Sequence, residues 1–142
     1  MKALRLLAVR HGATEWSQAR RFAGSRDIPL TAQGRLQAEA VAQALAGTPV
    51  AAIYTSPLER ARTSADVIAK PHRLEPISEP SFREMAFGAW EGLTRDELAT
   101  RFPAEAGVWA STPHVLTPPQ GEPLTAVDAR VRAAQKVFAE RS

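Results

Sequence analysis

The run of residues 4–9, apolar except for Arg5, constrains the fold most, because the polar turn Arg10-His11-Gly12 follows it at once. A short, nearly continuous apolar run indicates a strand that is buried on both faces, as in a parallel sheet. In parallel α/β sheets, ligand-binding crevices form at the carboxyl ends of the strands. The sequence therefore predicts a functional site at the end of the first strand.

Two helices are predicted in the first half of the chain. Residues 32–46 have apolar side chains at helical spacing, and Thr31 precedes them as a predicted N-cap. The second helix is expected to begin at a capping box formed by Ser56 and Glu59 and to end at Pro71. The apolar face of the first helix is expected to consist of Leu36, Ala40, Val41, Ala44 and Leu45.

Short strands are predicted over residues 50–54, which are buried in this interpretation, and over residues 72–78 as an edge strand. Strands and helices thus alternate along the chain. This alternation is typical of an α/β protein with a parallel sheet.

Local signals also organise the second half. Thr94 and Glu97 predict a capping box for a short helix that Pro103 ends, and the proline-rich residues 112–123 predict a loop at the rim of a site. A final helix is expected to bury one apolar face. That face consists of Val127, Val131, Ala134 and Phe138.

Composition limits the classes of function. The 142 residues, with net charge +3 and no cysteine, predict one domain without disulfides or thiolate chemistry. Basic residues are dispersed among acidic ones, which favours a small anionic substrate over nucleic acid. We expect no membrane span and a cytoplasmic protein, since no apolar run approaches the ~20 residues that a bilayer requires. The three histidines show no metal-ligand spacing, so we expect neither a metal nor a cofactor.

Two arginines and one histidine are candidates for phosphate chemistry. An imidazole such as that of His11 can attack phosphorus, and the guanidinium of Arg10 matches phosphate oxygens. Arg60 falls in the first turn of its helix, where a cation opposes the helix dipole by ~0.3–1 kcal/mol. A residue that breaks a local rule without local benefit is a functional candidate, although a surface ion pair is the alternative. Arg62 fits that surface role better.

Glu84 lies in an aromatic-rich segment with Phe82, Phe87 and Trp90. From the residues alone, a solvated loop glutamate is the favoured interpretation. The alternative is a carboxyl group held among apolar neighbours, which would raise its pKa and suit a general acid. Glu91 is the less favoured candidate for the same role.

Four blocks carry a resemblance to a known family: residues 10–17, 21–31, 56–65 and 82–92. In this order they resemble the histidine phosphatase superfamily, which is also called phosphoglycerate-mutase-like. The resemblance implies a three-layer α/β/α fold with a mostly parallel sheet.

The resemblance also implies roles for individual residues. His11 would take the phosphoryl group as phosphohistidine, Arg10 and Arg60 would clamp it, and Glu84 would be the proton donor. Secondary phosphate contacts are expected from Ser17, Ala23 and Gly24. Ser17 stands where the family usually has asparagine, and Ala23 where many members have a hydroxyl residue.

The family completes its phosphate pocket with a second histidine in a His-Gly turn, and residues 1–142 contain no histidine in that context. We therefore expect the single domain of residues 1–142 to be incomplete at its C-terminal end. A buried strand ending in His-Gly and one more helix would follow.

The sequence favours a phosphomonoester hydrolase that acts on a small phosphorylated metabolite through a phosphohistidine. A phosphoglycerate-type mutase is the close alternative, and a non-catalytic module that binds a phosphate ligand is the alternative from another class. A homodimer is left open, and neither nucleic acid nor membrane is expected as a partner.

Overall fold

Helices provide most of the regular structure in the computed structural model, which describes residues 3–141. The helices are α1 (Glu15–Gln18), α2 (Ala32–Leu45), α3 (Glu59–Ala69), α4 (Arg95–Arg101), α5 (Pro103–Ser111) and α6 (Leu124–Arg141), and the strands are β1 (Tyr54–Thr55) and β2 (Ile77–Ser78). Short 3₁₀ turns lie at Lys70–His72, Pro80–Phe82, Gly88–Trp90 and Pro113–Val115. No helix within this part of the chain is long and apolar enough to cross a bilayer.

The two strands pair in parallel, with Tyr54 opposite Ile77 and Thr55 opposite Ser78. Helix α3 forms the crossover between them, as parallel pairing requires. Both strands are shorter than the predicted ranges 50–54 and 72–78. The parallel pairing itself agrees with the predicted α/β class.

The first predicted strand is wrong. Residues 4–9 form no strand and are exposed, with Leu6 retaining 59% of its accessible surface. A β-strand requires hydrogen bonds to an adjacent strand. No other segment within residues 3–141 pairs with this one. The apolar run therefore stays exposed instead of entering a core.

Helix α2 is confirmed, but its buried face differs from the predicted one. Thr31 accepts a hydrogen bond from Gly34 N at 3.0 Å, which is the expected cap. The buried positions are Gly34, Ala38 and Ala42, whereas Leu36 is 64% exposed. Small side chains at this spacing let α2 approach α3 closely, and Ala38 and Ala42 pack against Val67 and Ile68 there.

Helix α3 begins later than predicted, and the predicted capping box is wrong. Leu58 is the N-cap and supplies no side-chain hydrogen bond. The amide of Glu59 donates instead to Asp27 Oδ1 at 2.7 Å. An acceptor from a distant loop therefore satisfies the helix terminus that Ser56 was expected to cap.

In the second half of the chain, the helices that the local capping and proline signals predict are present. Thr94 and Glu97 form the predicted capping box of α4, and Pro103, expected only to end that helix, also occupies the first turn of α5. On α6, Ala134 and Phe138 are buried, while Val127 and Val131 are half-buried. The ring of Phe138 lies 4.0 Å from that of Tyr54 and 5.3 Å from that of Phe82, which joins α6 to β1 and to the segment before Glu84.

Candidate active site

A cleft of about 710 Å³ opens at the turn that follows residues 4–9. Every residue that the sequence singled out for phosphate chemistry lines it. These residues are Arg10, His11, Ser17, Ala23, Gly24, Arg60 and Glu84. His72 and His114 are not among the lining residues.

The imidazole of His11 is held in one orientation. Its Nδ1 lies 2.6 Å from the carbonyl oxygen of Gly12. Because a carbonyl can only accept, this contact assigns the proton to Nδ1 and leaves Nε2 with its lone pair. His11 therefore presents a nucleophilic nitrogen.

The surroundings of His11 favour its neutral form. Burial lowers its pKa below the ordinary value, and the charges of Arg60 and Arg10 lower it further. The hydrogen bond to Gly12 and the charge of Glu84 act in the opposite direction. Burial is thus the larger cause of the lowered pKa of His11, and the charges of the two arginines add to it.

Gly12 serves the packing of the site. An added β carbon there would lie 2.1 Å from the carbonyl oxygen of Gly34, so glycine at this position lets the turn pack directly against helix α2. The amide of Gly12 donates to Ser64 Oγ at 3.2 Å, and Ser64 Oγ donates to the carbonyl of Arg60 at 2.8 Å. The histidine turn is therefore tied to helix α3, which also carries Arg60.

Arg60 is a buried cation whose side chain nevertheless lines the cleft. Only 2% of the residue is exposed, and its Nη1 and Nη2 donate to the carbonyls of Arg26 and Gly24 at 2.6 and 2.8 Å. Burial lowers its pKa, while the carboxylates of Glu84, Asp27 and Glu91 oppose that shift. A guanidinium has more N–H groups than these two bonds use, so donors remain for an anion in the cleft.

The cleft has a positive rim. Arg10 is exposed, and its side chain forms no hydrogen bond or ion pair with other residues of the described range 3–141. Arginines exceed carboxylates along the lining: Arg10, Arg20, Arg21, Arg60 and Arg95 stand against Glu84 and Asp96. Such an excess attracts anionic ligands.

Glu84 lies in the cleft at a solvent-exposed position. The residue is exposed, whereas the adjacent Met85 is buried, so the solvated environment favoured from the residues alone is found and the alternative of apolar neighbours is wrong. Of the aromatic residues in this segment, Phe87 also lines the cleft, whereas Phe82 and Trp90 do not. Its Oε1 accepts a hydrogen bond from Met85 N at 2.9 Å.

The expected secondary contacts differ in what they offer a ligand. The hydroxyl of Ser17 donates to the carbonyl of Thr14 at 3.0 Å, in the capping box of α1, and would have to rotate to donate elsewhere. Gly24 has φ +53°, and a β carbon there would lie 2.4 Å from Glu91 Oε1. The amides of Ala23 and Gly24 have no hydrogen-bond acceptor within the described part of the chain.

Glu91, set aside as a proton donor, joins the two loops beside the cleft. Its Oε1 accepts hydrogen bonds from the amide and hydroxyl of Ser25 at 2.8 and 2.7 Å and from Phe87 N at 3.2 Å. Arg20 and Arg95 are further lining residues that sequence reasoning missed. A signal for Arg95 existed, because it directly follows the Thr94 cap, where a cation opposes the helix dipole.

Comparison with known proteins identifies the family of this chain. The profile of the histidine phosphatase superfamily (branch 1) matches residues 6–142. This chain belongs to the histidine phosphatase superfamily. The predicted resemblance and the predicted phosphoglycerate-mutase-like α/β fold are both confirmed.

Relatives within the superfamily carry both phosphatase and mutase names. Phosphoserine phosphatase 1 of Hydrogenobacter thermophilus is 34% identical over 91% of this chain and 61% of its own length. "Probable phosphoglycerate mutase GpmB" of Photorhabdus laumondii is 38% identical over 92% of this chain and 61% of its own. The chain thus spans about 61% of the length of these relatives.

Solved structures of the superfamily share the fold. A mycobacterial glucosyl-3-phosphoglycerate phosphatase, solved in complex with VO3, superposes with a TM-score of 0.87 and 28% identity over 93% of this chain and 63% of that one. The alpha-ribazole phosphatase of Shigella flexneri superposes with a TM-score of 0.85 and 27% identity over 94% of this chain and 66% of that one.

Among residues 3–141, no group of three or more histidine, aspartate or glutamate side chains is arranged to hold a metal ion.

Proposed function

We propose that this protein is a phosphomonoester hydrolase that acts on a small phosphorylated metabolite through a covalent phosphohistidine on His11. One observation carries the proposal most. The hydrogen bond from Nδ1 to the carbonyl of Gly12 leaves Nε2 free in a cleft rimmed by arginines. The phosphatase names among the relatives support hydrolysis.

In the first step, the lone pair of His11 Nε2 attacks phosphorus and the bond to the ester oxygen breaks. Protonated Glu84 donates its proton to the leaving oxygen, so the alcohol departs neutral. Arg10 and the unused donors of Arg60 stabilise the negative charge on the transferring phosphoryl group.

In the second step, Glu84 accepts a proton from water while the water oxygen attacks phosphorus. The bond between phosphorus and Nε2 breaks, which releases inorganic phosphate and restores neutral His11. Glu84 returns to its protonated form. The exposure of Glu84 suits this exchange because water reaches it directly.

A mutase is the second candidate, supported by the relative with a phosphoglycerate mutase name at 38% identity. In a mutase, a substrate hydroxyl takes the phosphoryl group from His11 in place of water. Product analysis separates the two activities. A hydrolase releases inorganic phosphate in step with alcohol, whereas a mutase returns an isomeric phosphate ester.

Trapping the phosphoenzyme tests the proposal. The protein is produced from its whole reading frame, mixed with a radiolabelled phosphomonoester and quenched. Label that is labile in acid and stable in base should appear on the wild type and on His114→Ala, whose exposed histidine lies outside the cleft. His11→Ala should carry none. Ligand binding without any label or burst of alcohol would instead identify a binding module.

A further inference from the structure

Arg130, on α6, reaches across to the segment that carries Glu84. Its Nη1 donates to the carbonyls of Ser81 and Arg83 at 2.6 and 2.8 Å. Its Nη2 donates to the carbonyl of Glu84 at 3.4 Å and to Glu122 Oε1 at 2.6 Å. Only 18% of the side chain is exposed. One partly buried guanidinium thus binds three main-chain oxygens within four consecutive residues.

Glu122 forms hydrogen bonds with Ala86, on the C-terminal side of Glu84 in the same segment. Its Oε1 accepts a hydrogen bond from Ala86 N at 3.0 Å, and its own amide donates to the carbonyl of Ala86 at 2.9 Å. Burial tends to raise the pKa of Glu122, but the hydrogen bonds from Arg130 and Ala86 hold it below the ordinary value. The carboxylate form, which accepts from both partners, is therefore the stable one at neutral pH.

These contacts determine where Glu84 can be. The side chain of Glu84 is exposed and has one hydrogen bond, to the amide of the next residue, Met85. Nothing else in the described residues 3–141 hydrogen-bonds to its carboxyl group, so its position follows from its own main chain. Arg130 and Glu122 hold that main chain on both sides.

We propose that Arg130, together with Glu122, is the positioning residue for Glu84, acting through the carbonyls of residues 81, 83 and 84. Arg130 is not among the residues that line the cleft. The inference rests on the proposed role of Glu84 as proton donor. A misplacement of about 1 Å can cost a large part of a rate, so a loosened segment would weaken proton transfer before it weakens phosphate binding.

Rates with two leaving groups test this role. Phenyl phosphate needs a proton on its leaving oxygen, whereas p-nitrophenyl phosphate scarcely does. Arg130→Gln should lose about 10- to 100-fold in kcat with phenyl phosphate and little with p-nitrophenyl phosphate. Inhibition by inorganic phosphate should not change. Arg132→Gln is the matched control, since Arg132 lies on the same helix, is 73% exposed and, within residues 3–141, pairs only with Asp128.

Arg130→Lys guards against a variant that does not fold, because it keeps the charge and most of the stem. A single ammonium group cannot bind three carbonyls and Glu122 together, so the same selective loss is expected. An equal loss with both substrates, or none, in a folded variant would overturn the inference. Glu84→Gln is measured in parallel. If it shows the selective loss and Arg130→Lys does not, only the positioning role fails; if it shows none, the role of Glu84 fails and the inference with it.

Discussion

The main chains of Gly12 and Gly34 lie in direct contact. A β carbon on Gly12 would lie 2.1 Å from the carbonyl oxygen of Gly34, and one on Gly34 would lie 2.1 Å from the carbonyl oxygen of Ala13. Both glycines are buried. The nucleophile turn therefore rests directly on helix α2, and this contact contributes to the fixed position of His11.

Replacing Gly34 tests this contact. Gly34→Ala should lower the free energy of unfolding by about 1–3 kcal/mol, because the added methyl group meets main-chain atoms that cannot rotate away. Gly107→Ala is the control, since a β carbon added there on α5 would meet no described atom within 4 Å outside its own helix backbone and its chain neighbours. There alanine should stabilise by roughly 0.5–1 kcal/mol. Urea unfolding measures both, and equal effects would contradict the close approach.

The pKa of His11 should lie below its ordinary value of 6.5, because burial and the charges of Arg60 and Arg10 disfavour the imidazolium. The nucleophilic form then remains populated as the pH falls below that value. NMR titration of the imidazole protons reports the midpoint. Arg10→Gln should raise it and Glu84→Gln should lower it, since the two charges have opposite signs. Shifts in the same direction would refute the electrostatic explanation.

Glu84→Gln removes the proposed proton donor and keeps the shape of the side chain. We expect kcat to fall about 10²- to 10⁴-fold with phenyl phosphate and far less with p-nitrophenyl phosphate. Glu75→Gln, at an exposed position outside the cleft, should leave both rates unchanged. A similar fall with both substrates would assign Glu84 to binding instead of proton transfer.

Arg60→Gln should lower the rate with every phosphate substrate to the same extent. The loss of one charged donor to the transferring group costs about 10²- to 10³-fold in kcat, whatever the leaving group. Inorganic phosphate should also become a weaker inhibitor. Arg62→Gln is the control on the same helix, since Arg62 is exposed and does not line the cleft. Circular dichroism checks the fold, because Arg60 also binds the carbonyls of Gly24 and Arg26.

Metal removal should leave turnover unchanged. In the proposed steps, the guanidinium groups of Arg10 and Arg60 supply the positive charge, and no metal-bound water is required. Activity is measured after dialysis against EDTA and again after addition of Mg²⁺ or Zn²⁺. Loss of activity on chelation, with recovery on addition of a metal, would contradict the proposed chemistry.

Several features could be predicted from the sequence because their causes are local. Thr31 caps α2 and Thr94 forms a capping box with Glu97, and in each case the partners are three residues apart. The gathering of His11, Arg60 and Glu84 in one cleft was predicted from the end of an apolar run, a rule-breaking cation and a family resemblance. All these signals lie within short stretches of the chain.

Only the tertiary structure decided where distant partners meet. Asp27, instead of Ser56, caps the helix of Arg60, and Arg60 itself binds carbonyls more than thirty residues away. Arg130 holds the main chain of Glu84 across 46 residues. Residues 4–9 have the composition of a buried strand, yet they stay exposed because strand pairing depends on a neighbour. A sequence pattern shows which groups need a partner, but the partner's identity depends on how separate elements pack.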